Sequence, residues 1–103
     1  MKTLTDFQGR TVRLTNERLQ HILERPEMAG MENAIVETLQ EPERVIRSRA
    51  DKTTSLNYRY YLRTLVGEKW LCIVVKYSDS DAFVLTAYLT DKPKRGEILW
   101  QKP

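Results

Sequence analysis

Residues 71–90 read LCIVVKYSDSDAFVLTAYLT, two otherwise apolar runs interrupted by Lys76 and by Thr86–Tyr88 and separated by the polar quartet at 78–81. A short polar break between β-branched and aromatic runs predicts two antiparallel strands joined by a turn. Side chains alternate between the faces of a strand. Phe83, Leu85, Ala87 and Leu89 are therefore expected on one face, and Val84, Thr86 and Tyr88 on the other. In the run before them, Leu71, Ile73 and Val75 oppose Trp70, Cys72, Val74 and Lys76. Upstream, Asn57, Arg59, Tyr61 and Arg63 oppose Leu56, Tyr58, Tyr60 and Leu62. The pattern describes a sheet with one oily side and one side of cations, hydroxyls and phenols, where function is expected.

Working outward, strands are expected at 44–49, 56–65, 69–77 and 82–90, with a tight turn at 67–68. Before them, Thr15 or Asn16 offers an N-cap for a helix ending near Arg25, because Pro26 disfavours helical geometry in the residue before it. Leu19, Ile22 and Leu23 form its apolar stripe. A second helix is expected over 31–40, with Met31, Ile35 and Leu39 one turn apart and Glu41–Pro42 ending it. Residues 3–7 and 11–14 suggest a small hairpin around Gln8–Gly9. Residues 98–100 suggest a short closing strand or an apolar clasp. The expectation is a single α+β domain over 1–103: two N-terminal helices packed on one face of a four-stranded antiparallel sheet.

At 103 residues the chain can bury a core without staples. Its lone Cys72 excludes an internal disulfide, and a reducing cytoplasm is the expected setting. No apolar run approaches the roughly 18 residues of a membrane span, so no membrane partner is expected. The opening MKTLTDFQG lacks the apolar core of a signal peptide. Seventeen basic and 14 acidic residues leave a net charge of only +3. The distribution is more telling, since residues 44–63 hold six cations against Asp51 alone. Such segregation suits a phosphate-bearing partner.

One His, one distant Cys and scattered carboxylates supply no zinc ligand set, and residues 78–81 lack the ligand spacing of a calcium loop. Neither a phosphate loop nor a dinucleotide fingerprint is present. No cofactor is therefore expected, and metal-free acid–base chemistry remains. RNA brings its own nucleophile, the 2′-hydroxyl, so a cleaving site needs a proton acceptor, a proton donor and cations. His21 carries the side-chain type that titrates nearest neutrality, and it groups on the helical wheel with Arg18 and Arg25, away from the core stripe. Arg59, Lys76, Thr86 and Tyr88 are the other candidates, with Arg25, Arg47 and Arg49 as supporting cations. Tyr58 offers a ring on which a base could stack.

The segments GRTVRLTNERLQHILERPEM (9–28), LQEPERVIRSRAD (39–51), NYRYYL (57–62), VVKYSDSDAFVLTAYLTD (74–91) and GEILW (96–100) together resemble the phage-associated branch of the barnase, EndoU, colicin and RelE-like nuclease superfamily. The resemblance runs from about Gly9 to Trp100. It implies two helices followed by a four-stranded antiparallel sheet, metal-independent endoribonuclease activity yielding a 2′,3′-cyclic phosphate, and a toxin's setting with an antitoxin or immunity protein as partner. It matches His21, Arg59, Lys76 and Thr86 to catalytic positions. Related sequences often carry a second histidine before the Pro-Glu pair, where this chain has Arg25. A catalytically inactive RNA- or protein-binding module on the same fold is the alternative.

Overall fold

The computed structural model describes residues 1–103. Seven strands form one mixed sheet: β1 (Lys2–Thr5), β2 (Thr11–Leu14), β3 (Arg44–Arg47), β4 (Thr54–Thr64), β5 (Gly67–Tyr77), β6 (Ala82–Thr90) and β7 (Ile98–Gln101). The helices are α1 (Asn16–Glu24) and α2 (Glu32–Gln40), separated by a single 3₁₀ turn at Pro26–Met28. Thr15 caps α1 by accepting a hydrogen bond from the Arg18 amide, and Arg25 is already extended before Pro26.

The α+β class holds, but the sheet has seven strands, not four. Its order is β1-β2-β6-β5-β4-β3-β7. The expected hairpin forms and joins the sheet through a parallel contact at Arg13 and Phe83. Arg13 makes that contact specific: its guanidinium lies over the Phe83 ring and takes Asp81 with two nitrogens, at 2.9 and 2.6 Å. At the other edge β7 pairs with β3, and the chain from β6 crosses a sheet face to reach it. The β4–β5 turn is Leu65–Val66, two residues earlier than expected. Gly67 follows it at φ 90°, a left-handed position that suits a glycine bulge.

A second bulge, between Val74 and Val75, changes the face assignment in β6. Val74 pairs with Thr86 and Val75 with Val84, leaving Leu85 as the extra residue. Ala82 and Val84 therefore join Ala87 on the helix-covered face, while Phe83 lies opposite Lys76 on the other. The main core sits between the helices and this face: Ile22, Met28, Ile35 and Leu39 meet Leu71, Ile73, Val75 and Ala87. The second face is not bare. Ile46, Leu56, Tyr58 and Cys72 form a smaller buried cluster, flanked by Trp70, Val74 and Tyr88. Residues 91–97 lie over it, with the Lys94 amide donating to the Tyr58 hydroxyl at 3.1 Å. Gly96 is pressed so close that a Cβ there would stand 2.6 Å from Ile46 Cγ2.

Candidate functional site

The side chains expected to act together divide among several places. The first is the edge of β6. Because β2 meets this strand only at Phe83, the rest of the edge is free of strand partners. Arg25, extended between α1 and the 3₁₀ turn, reaches across it. Its Nη2 lies 3.4 Å from Thr86 Oγ1 and donates to the Ala87 carbonyl. His21 lies in the last turn of α1, four residues before Arg25. Its ring is exposed, with Nε2 3.9 Å from Glu17 and Nδ1 3.9 Å from Glu24.

The second place is the sheet face bearing Thr86. Lys76 lies on it, a diagonal neighbour of Thr86 at a spacing of roughly 7–8 Å for such pairs. Its ammonium is bonded to Asp51 of the β3–β4 loop. That hydrogen bond, with further ones from Thr53, holds the Asp51 carboxyl well below the ordinary aspartate range. Tyr88 shares the face, but it packs against the small cluster of Tyr58 and Cys72. Burial, then the neighbouring Cys72, pushes its phenol far above its usual value. Burial likewise raises Tyr58 to about 12 and Cys72 to about 11.

Two expected roles do not fit these positions. Tyr58 is fully buried, so no base can stack on its ring. The polar sequence at 91–97 gave no sign that it would roof this tyrosine. Arg59 pairs in register with Leu71, which places it on the helix-covered face, away from Lys76 and Thr86. There its Nη1 donates to the Glu41 carbonyl at 2.7 Å and its Nε lies 3.4 Å from Glu37. It fastens the C-terminus of α2 to β4 and is a structural cation.

The remaining cations lie elsewhere. Arg49 is exposed on the β3–β4 loop. Arg47 borders a cavity of about 550 Å³ at the end of the sheet, beneath the β1–β2 turn. Arg10 and Lys52 border it too, together with Phe7, Ser55 and Tyr77. Of these five only Lys52, within the basic stretch 44–63, was marked in the sequence, because only the hairpin's fold across the sheet brings them together. No three His, Cys, Asp or Glu side chains gather into a metal-binding group. No helix is long and apolar enough to cross a membrane. No family model, curated protein or solved structure matches the chain.

Proposed function

We propose that this protein is a metal-independent endoribonuclease whose site runs along the free edge of β6. The observation that carries the reading is the guanidinium of Arg25 at the Thr86 hydroxyl, with His21 four residues earlier in the last turn of α1. A scissile phosphate seated there would meet a fixed cation and a hydroxyl, with an imidazole alongside and the Lys76 ammonium on the same sheet face. The 2′-oxygen of RNA attacks phosphorus and the bond to the 5′-oxygen breaks, leaving a 2′,3′-cyclic phosphate and a free 5′-hydroxyl. His21 takes the 2′-hydroxyl proton, and Lys76 gives a proton to the departing oxygen. Arg25 stabilises charge building on the phosphorane oxygens, and Thr86 orients the group. In this scheme Arg25 fills the place that related sequences give to a second histidine. Tyr88, held protonated by burial, serves as a wall of the site.

A non-catalytic RNA-binding module is the second reading. It is favoured by the engagement of Lys76 with Asp51 and by the two carboxylates flanking His21. End-labelled RNA incubated with purified protein in EDTA distinguishes the two. Fragments ending in cyclic phosphate support the enzyme, whereas intact RNA bound in a salt-sensitive manner supports the module. RNA neither cut nor bound removes both. In the toxin setting, expression would arrest growth, and a co-expressed antitoxin or immunity protein would relieve the arrest.

A further inference from the structure

We infer that the cavity beneath the β1–β2 turn is a nucleotide-binding pocket, taking a nucleoside monophosphate with its phosphate among Arg10, Arg47 and Lys52 and its base against Phe7. This pocket adjoins the Lys76–Asp51 pair through Thr53 and Thr54 but includes none of His21, Arg25 and Thr86, and it would bind nucleotide whether or not the protein cuts RNA. Its volume of about 550 Å³ lies within the roughly 300–1,000 Å³ typical of small-ligand sites.

The lining is divided in a way that suits such a ligand. Three cations face one lining carboxylate, Asp79, so the walls carry a net positive charge. Phe7, Val45 and Leu99 supply the apolar side. Two of the cations are held in place by the fold. Arg10 lies over the Tyr77 ring and donates to the Ser78 and Asp81 carbonyls through Nη2. Arg47 donates from Nη1 to the Lys52 carbonyl at 2.8 Å and from Nε to Glu97 at 3.2 Å. Each keeps guanidinium N–H groups outside these bonds, as a phosphate requires. Lys52 is exposed, and its contribution to the fold is its backbone carbonyl.

The nearby buried acid, Asp6, turns its oxygens to the turn and to Tyr77. Oδ1 accepts the Gln8 and Arg10 amides at 2.9 and 2.8 Å, and Oδ2 accepts the Tyr77 hydroxyl at 2.8 Å. The same bonds fix the turn that carries Phe7, whose ring centroid lies 5.6 Å from that of Trp100. Thr54 also borders the cavity.

Titration calorimetry at fixed salt tests the assignment, using adenosine 5′-monophosphate, adenosine and inorganic phosphate. The monophosphate should bind more tightly than either part. Lys52→Ala, which disturbs no side-chain contact, should weaken it roughly tenfold. Phe7→Leu should weaken the monophosphate while leaving inorganic phosphate unchanged. A 5′-phosphorylated dinucleotide lacking 2′-hydroxyls separates the sources: tighter binding than the monophosphate assigns a strand end, and equal or weaker binding a free nucleotide. Monophosphate binding no tighter than adenosine, or unchanged in Lys52→Ala, overturns the inference.

Discussion

At the scale of single residues, Cys72 and Gly96 report on the same buried cluster. The Cys72 thiol is fully buried and its pKa is raised to about 11, so little thiolate forms near neutrality. A thiol reagent at pH 8 should therefore label it only as fast as the protein opens. Labelling at the rate of a free thiol would mean that residues 91–97 do not cover it. Gly96→Ala should cost about 1–3 kcal/mol, read by chemical denaturation, because the new methyl meets Ile46 and stands 2.9 Å from the Arg47 carbonyl. Neither feature is legible in the sequence beyond the apolar flanks of Cys72. DKPKRGE reads as an ordinary polar loop, and only the pairing of β7 with β3 obliges it to cross the second face.

Among the elements, helix α1 and strands β3 to β6 are close to what the apolar periods and the Pro26 and Pro42 breaks foretell. What alternation could not foretell is the extra residue at Leu85. A period of two has no place for a bulge, and one added residue exchanges the faces expected of Phe83 and Val84. The parallel docking of β2 on β6 was equally hidden, since it rests on one backbone pairing and on Arg13 with Asp81. The α2–β4 junction gives a test at this scale. Arg59→Ala removes a cation from the C-terminal end of α2 and leaves the Glu41 carbonyl without its donor. It should lower unfolding stability by about 1–2 kcal/mol. An unchanged denaturation midpoint would contradict the structural role given to Arg59.

Over the whole molecule, three ion pairs tie distant segments to β5 and β6. Lys76 holds Asp51, Arg13 holds Asp81 and Lys69 holds Asp91. Hydrogen bonds from these cations lower all three carboxyl pKa values in the fold. Depressed carboxyls add stability above the unfolded aspartate value of about 3.9, and the gain is lost as pH falls through the folded values. The melting temperature should thus be insensitive to these pairs from pH 7 to 5 and decline below about pH 4. High salt should shrink the effect, because the pairs are exposed to solvent. A melting temperature that rises on acidification to pH 3 would refute their sign.

The candidate site also belongs to this scale, because it is assembled from α1 and the edge of β6. Its residue types were legible in the chain: a histidine facing away from the core, cations at helical spacing from it, and a hydroxyl in a strand. The contact of Arg25 with Thr86 was not, since it depends on β2 leaving most of the β6 edge open. The most direct measurement is the single-turnover rate of RNA cleavage in EDTA for the wild type, His21→Ala and Arg25→Ala. We predict that His21→Ala slows cyclic-phosphate formation by about 10²–10⁴-fold with its melting temperature retained, and Arg25→Ala by roughly 10²-fold or more at a temperature where that variant is folded. Cleavage at wild-type rate in both variants, or none by the wild type, would contradict a reacting phosphate at the β6 edge.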